Sequence, residues 1–228
     1  RCETDVGRQH YGRLAADYTA KVKREEGEKE MPNKKSRKLF DRLSPFYARL
    51  FKRQRKNYTQ IFRDMDQCNI SHFSSILDVG CGSGAMASVM SEMGLRTFAL
   101  DHSLGMLSVA RSRHENRTVR FCRGSVESGL PFPEKSFDIV IAAFVAHGLD
   151  ASQRLILYQE MRRVGKHLVI LHDYNGVKSL TTSIAEIAEG GDYFNFIRNV
   201  KPELMNFFGN LEIVETEKRS CCYICNVN

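Results

Sequence analysis

Three glycines at alternate positions, Gly80, Gly82 and Gly84, stand directly behind the apolar run Ile76-Leu77-Asp78-Val79 and directly ahead of a helix-like segment. Glycines in that place let the backbone turn sharply and approach a ligand with no Cβ in the way. The helix that follows offers unpaired N–H groups to an anionic part of the ligand. Strand, glycine loop and helix in this order read as a nucleotide- or cofactor-binding loop. By itself the loop leaves the ligand open, because Gly80, Gly82 and Ala85 also satisfy the dinucleotide pattern G-x-G-x-x-G/A.

Two carboxylates narrow the choice. Asp78 lies inside the strand, two residues before the first glycine. A charge there suits a cationic amino-acid group and would repel a pyrophosphate. Gly84 also makes the loop G-x-G-x-G, a different shape from the dinucleotide pattern. Asp101 ends the next strand-like run, nineteen residues after Gly82, where an acid can accept both hydroxyls of a ribose. Because Ser103 and a helix follow, Asp101 can alternatively be read as a solvated helix-capping aspartate.

The elements that must position these groups follow from periodicity. Strand-like runs fall at Ser75–Val79, Arg96–Leu100, Val119–Cys122, Phe137–Ala142 and His167–Leu171, with helix-like runs at Ala85–Met93, Gly105–Arg113 and Gln153–Val164 between them. This alternation predicts a mostly parallel sheet with helices on both faces. Two last strands, Glu212–Glu217 and Cys221–Val227, are spaced as an antiparallel hairpin closing the sheet, which makes seven strands. Upstream, Leu39, Phe40, Leu43, Phe46, Tyr47, Leu50, Phe51, Tyr58, Ile61 and Phe62 recur at helical spacing around a break at Ser44–Pro45, predicting an N-terminal helical cap over 34–70. Residues 1–33 read as a charged extension, 71–228 as the α/β core, and 175–210 as a lid insertion. Met31 stands where a native start would fit, so residues 1–30 read as an extension, a tail or a loosely attached helix.

In an open α/β sheet the ligand crevice lies at the carboxyl ends of the strands. That rule selects His147, after the fourth strand, and His172-Asp173-Tyr174, after the fifth. His147 is the candidate base or acceptor-orienting group, with a hydrogen-bonded structural histidine as the competing reading. Asp173 either orients a cationic acceptor or caps its loop. Tyr47, on the helical cap, is placed to cover the site, and Tyr174 to wall it.

The net charge of +7 is uneven. Between Lys21 and Arg63 there are 15 Lys/Arg against 5 Asp/Glu, whereas residues 64–228 hold 16 against 19. The basic arm reads either as a surface for nucleic acid or an acidic partner, or as a solvated amphipathic helix face. No window approaches the ~18 apolar residues of a membrane span, and the first residues lack a signal-peptide core, so the chain is expected to be cytoplasmic. Of seven cysteines only Cys222 and Cys225 form a C-x-x-C pair. Within a strand, residues three apart point to opposite faces, so buried thiols are expected there and no metal site.

Three segments together, ILDVGCGSG (Ile76–Gly84), ALDHSLGML (Ala99–Leu107) and GLPFPEKSFDIVIAAFVAHGL (Gly129–Leu149), resemble the class I S-adenosylmethionine-dependent methyltransferases, in particular the small-molecule branch related to ubiquinone/menaquinone C-methyltransferases. The resemblance spans about Ser75–Tyr174, under half of the chain. It implies a Rossmann-like fold and S-adenosyl-L-methionine as the cofactor. By that resemblance Asp78, Gly80, Cys81 and Gly82 surround the methionine part and Asp101 holds the ribose. His102 and Met106 flank the adenine. Ser125, Val126 and Glu127 fall at its edge, with Ser125 in place of the family's acid. Phe144 packs near the sulfonium.

Methyl transfer from a sulfonium is an in-line displacement, in which orientation supplies up to about 7–11 kcal/mol. A base is needed only if the acceptor must lose a proton, and adds about 10²–10⁴-fold. A small-molecule acceptor is therefore expected to meet a sparse set of side chains. Three other readings stand beside it. The first is an RNA methyltransferase guided by the basic helices, against which no N-P-P-Y-like tetrapeptide and no strand-end cysteine nucleophile appear. The second is a cofactor-binding module without turnover. The third, an NAD(P) oxidoreductase, is disfavoured by Asp78. Composition is silent on oligomeric state.

Overall fold

The computed structural model describes residues 49–63, 70–177 and 192–227. Seven strands form one sheet: β1 (Ser75–Val79), β2 (Arg96–Asp101), β3 (Arg120–Arg123), β4 (Phe137–Ala143), β5 (Gly165–Tyr174), β6 (Glu212–Glu217) and β7 (Ser220–Asn226). Their order is β3-β2-β1-β4-β5-β7-β6. The first five pair in parallel, and β7 runs antiparallel to both β5 and β6. The central strands are nearly continuous Val, Ile, Leu and Ala because both of their faces are covered.

Alternation along each strand sorts those side chains onto two cores. On one face Ile76, Ile139, Ile141, Ile170 and Ile224 meet α1 (residues 49–63), through Phe51, Tyr58, Ile61 and Phe62, and α2 (Ala85–Glu92), through Met86, Val89 and Met90. On the other, Leu77, Val79, Val140, Val169, Leu171 and Tyr223 meet α4 (Ala151–Val164) and α5 (Tyr193–Phe208). Between α2 and α4 in the chain, α3 (Leu104–Ser112) buries Met106, Leu107 and Ala110. The helices therefore cover both faces, as the alternating pattern predicts.

Strand ends differ from the sequence reading by a few residues. The largest change is in β5, which begins at Gly165 and runs through His172-Asp173-Tyr174. Its continued pairing with β7 through Tyr174↔Ser220 makes those three residues strand rather than loop. Cys222 packs into the α1–α2 core and Cys225 into the α4–α5 core, on opposite faces of β7 as their spacing requires. Among the described residues no three His, Cys, Asp or Glu side chains gather as a metal site, and no helix is long and apolar enough to cross a membrane.

The described part of 175–210 is mainly α5. Its buried Tyr193, Phe196, Val200, Leu204 and Phe208 recur every three or four residues, the spacing of one helix face. These aromatics build core, while Phe194 stays exposed. Helix α4 starts with a capping box in which Asp150 and Gln153 satisfy each other's backbone N–H groups. It is tied to α5 by Arg154, whose side chain is wholly buried. The Arg154 guanidinium forks onto both oxygens of Glu203 at 2.9 and 2.7 Å and also reaches Asp192 and the Leu149 carbonyl. Tyr158 Oη donates to the same Glu203. Arg154→Ala would strand Glu203 against one hydroxyl, and urea denaturation should show a loss of about 2–4 kcal/mol. A change under about 0.5 kcal/mol would mean that this cluster does not join the helices.

Candidate functional site

The glycine loop turns because its backbone is held from the β2 side: the N–H groups of Gly80 and Cys81 both donate to the Leu100 carbonyl, at 2.8 and 3.0 Å. At Gly80 φ is +74°, and a Cβ there would lie 2.6 Å from Val145 Cγ2. Gly82 also has a positive φ, +52°, but a Cβ would meet nothing within 4 Å. The first glycine is thus required by the protein's own packing, and the second faces open space that a ligand can enter. Behind the loop, the buried Asn116 amide donates to the carbonyls of Ala110 and Ser83. From the front, Ser83 Oγ donates to Gln54 of α1 at 3.4 Å.

Asp101 Oδ2 accepts the Gly82 N–H and its Oδ1 the Ser103 N–H, each at 2.8 Å. A carboxylate offers about four acceptor sites, so these two bonds do not by themselves exhaust it. The cap of α3 is Ser103, whose Oγ accepts from Met106 N. Asp101 is therefore aimed at the glycine loop and is not itself the helix cap. Burial pushes its carboxyl up, against the pull of His102 and the backbone N–H groups.

Asp78 is the most unusual group in the site. Its side chain is 1 % exposed, and Oδ2 has no hydrogen-bond partner. Burial, and then the nearby charge of Asp101, pushes its carboxyl up to about 7. A buried acceptor of this kind is costly unless a donor arrives. It is the atom to which a ligand ammonium would bring the most.

The other sequence-predicted cofactor residues sit around the same end of the sheet. Cys81 is buried inside the loop, where burial raises its thiol. His102 is about one-third exposed, and Met106 is buried. Ser125 Oγ accepts from Glu127 N and starts a short turn, Val126–Ser128. The Glu127 carboxylate accepts from Gln153 at 2.6 Å, which ties that turn to α4.

At the ends of β4 and β5 a second cluster forms. Asp173 accepts four donors: the N–H groups of Ala146, His147 and Tyr174, and the His147 ring through Nδ1 at 2.8 Å. Asp173 thus braces the loop, and beyond that reading it also holds the His147 ring. Around the His147 ring stand Phe144, Tyr174 and Phe196, at centroid distances of 6.3, 4.9 and 6.4 Å. Phe144 has φ of +52°, a backbone state rare for a bulky residue, and its ring is 37 % exposed. His172 lies on the opposite face of β5 from Asp173, hydrogen-bonded to Thr216 and edge-on to Tyr58 of α1. Burial pushes its imidazole down to about 4. Tyr47 lies outside the described residues. Sequence reasoning missed Gln54, Asn116, Val145 and the first turn of α5. Their parts depend on chain packing that no local pattern announces.

Residues 77–171 match the family described as a methyltransferase domain. The chain is 32% identical over 113 residues to an uncharacterized methyltransferase of Bacillus subtilis (strain 168), covering 46% of this chain and 43% of that protein. It is 35% identical over 91 residues to a demethylmenaquinone methyltransferase of Renibacterium salmoninarum, covering 40% and 36%. Among solved structures it superposes on an S-adenosylmethionine-dependent methyltransferase of Thermotoga maritima, described as a possible histamine N-methyltransferase, with a TM-score of 0.61, 16% identity and coverage of 85% of this chain and 100% of the other. The chain spans less than half the length of these curated relatives. It shares the Rossmann-like fold of the Thermotoga maritima structure, and the unpartnered Asp78 oxygen, the open space at Gly82 and the Asp101 carboxylate fit a cofactor such as S-adenosylmethionine.

The raised Asp78 carboxyl makes a testable sign. Its folded-state value of about 7 lies above the ordinary 3.8, so this group favours folding at low pH and loses that contribution as pH rises through about 7. In the ligand-free protein, the stability of wild type relative to Asp78→Asn should therefore fall by about 2 kcal/mol between about pH 5 and 8. A pH-independent difference in denaturation midpoints would contradict the assignment.

Proposed function

We propose that the protein transfers a methyl group from S-adenosylmethionine to a small-molecule acceptor held at the carboxyl ends of β4 and β5. The observation that carries this reading is the His147–Asp173 pair, joined at 2.8 Å within a wall of aromatic rings on the same edge of the sheet as the glycine loop. When bound, S-adenosylmethionine supplies a methyl group already activated on a sulfonium. The work left to the chain is mostly orientation.

Asp78 pairs with the amino-acid ammonium, and the loop Gly80-Cys81-Gly82 lies along the methionine part. Asp101 accepts the ribose hydroxyls. His102 and Met106 flank the adenine, with Ser125, Val126 and Glu127 along its edge. Phe144, held out by its positive φ, borders the sulfonium. Tyr174 and His147 face the acceptor. Because Asp173 engages Nδ1 of His147, Nε2 is the ring nitrogen through which a proton would pass. The aromatic wall favours a flat or apolar acceptor. Relatives named for demethylmenaquinone and histamine lend the small-molecule class further support.

Incubation with methyl-labelled S-adenosylmethionine and a fractionated cell extract should place label in the low-molecular-weight fraction. Label found solely in RNA or protein would overturn the acceptor class. Asp101→Ala should weaken cofactor binding by more than about tenfold, as for a lost charge-assisted hydrogen bond. Unchanged affinity in calorimetry of the folded variant would remove Asp101 from the ribose site. With a labelled acceptor in hand, His147→Ala should lower turnover by about 10²–10⁴-fold while cofactor affinity stays within about twofold. Equal turnover of variant and wild type would leave His147 a purely structural residue.

A further inference from the structure

Eleven of the chain's 34 Lys/Arg stand in two short stretches, six in residues 49–63 and five in residues 111–123, against one acid, Glu115. These stretches carry a balance of +10 in a chain whose net charge is +7, so everything else balances at −3. The fold makes them neighbours. The apolar face of α1 is turned into the sheet, and Arg55 is bound to Ser88 and Glu92 of α2, which fixes the helix about its axis. Arg49, Lys52, Arg53, Lys56 and Arg63 are left exposed along a helix about 21 Å long. The second stretch meets α1 where the half-buried Arg113 lies over the buried Phe51 ring at 5.0 Å, and Arg111 and Arg117 of the same stretch are exposed. Its far end reaches the crevice, where Arg123 donates to the His102 carbonyl.

The character of the surface selects its partner. None of the exposed large apolar side chains, from Met93 and Leu104 to Phe194 and Met205, belongs to either stretch. A protein interface needs an apolar or aromatic centre, and a membrane-surface helix needs an apolar face to insert. Here the apolar face of α1 is used up inside the fold. A surface dominated by arginine, about one charge per helical turn and without apolar anchors, matches the phosphodiester backbone of a nucleic acid, which is bound by charge and by the guanidinium fork.

We propose that α1 and residues 111–123 form a docking surface for the phosphate backbone of a single-stranded nucleic acid, beside the cofactor crevice. This docking does not depend on which acceptor is methylated, and its test is binding alone. Fluorescence anisotropy of the full chain, with a labelled single-stranded RNA of about 20 nucleotides and the matching DNA, should show binding that weakens about 50–100-fold between about 50 and 200 mM salt, as for four or five phosphate contacts. Binding of RNA, of DNA or of both supports the surface and says which backbone it accepts. Reversing Lys52→Glu, Arg53→Glu and Lys56→Glu together should weaken binding more than about tenfold, with thermal melting and cofactor affinity unchanged. The neutral set Lys52→Gln, Arg53→Gln and Lys56→Gln should lower the salt slope by about 2. Lys201→Glu with Lys218→Glu, exposed on α5 and at the β6–β7 turn, should leave affinity as it was. The proposal is overturned if neither oligonucleotide binds at low salt or if the α1 variants bind as wild type does. Equal capture by polyaspartate or by vesicles of anionic phospholipid would overturn it as well.

Discussion

In a parallel sheet the strands finish on a common edge, and here β1 is bonded to β2 on one side and β4 on the other. Val79 therefore stands level with both Leu100 and Ala142. Where β1 ends, the chain must leave the sheet, and the Leu100 carbonyl catches the next two N–H groups, of Gly80 and Cys81. That pair of bonds sets the height of the glycine loop relative to Asp101, one residue beyond Leu100. It also brings Gly80 against Val145 of the β4 loop, and the Phe144 N–H onto the β5 carbonyl of His172. The site is thus assembled from four strand ends by one constraint of register. Shifting any of these strands by a residue would turn Asp78, Asp101 and Asp173 to the wrong faces.

Two buried aspartates in this arrangement have opposite accounts. Asp173 meets four donors, the number a carboxylate can accept, and so acts as a rigid brace that fixes both the 146–147 turn and the His147 ring. Asp78 keeps one oxygen without a donor, and its carboxyl is pushed up by burial. A fold that satisfies one acid this fully could have satisfied the other. An acid left short in this way is costly to bury, and a cationic ligand is the kind of partner that would complete it.

The parts of this design that were legible in the sequence are those set by local chemistry. The meeting of Gly80, Gly82, Asp78 and Asp101 at one end of the sheet was legible because strand, loop and helix follow one another at fixed spacing. The hairpin β6–β7, and the opposite faces of Cys222 and Cys225, followed from the period of two. Contacts between distant segments were not legible. The β5 strand runs on through His172-Asp173-Tyr174 because β7 is there to pair with it, and no pattern within β5 says so. The segment 175–210 read as a lid insertion for a similar reason: the spacing of the α5 aromatics marks a helix face, and only the position of β7 decides what that face meets.

Charge is divided in the same spatial terms. Acidic groups line the crevice: Asp78 and Asp101 at β1 and β2, Asp173 at β5, all nearly inaccessible. Most of the basic groups lie outside: Arg49, Lys52, Arg53, Lys56 and Arg63 on α1, with Arg111 and Arg117, are exposed, while Arg123 bonds to the His102 carbonyl. Arginines packed against Asp78 and Asp101 would draw those carboxylates to themselves and leave nothing there for a cationic ligand to complete. Among the described residues, Arg154 is the arginine with a fully buried side chain, and it is kept away, on α4, and committed to Glu203 and Asp192. Separation of the two signs allows one small domain to hold a cation within and an anion without, since charges exposed to water beyond about 10 Å of one another are largely screened.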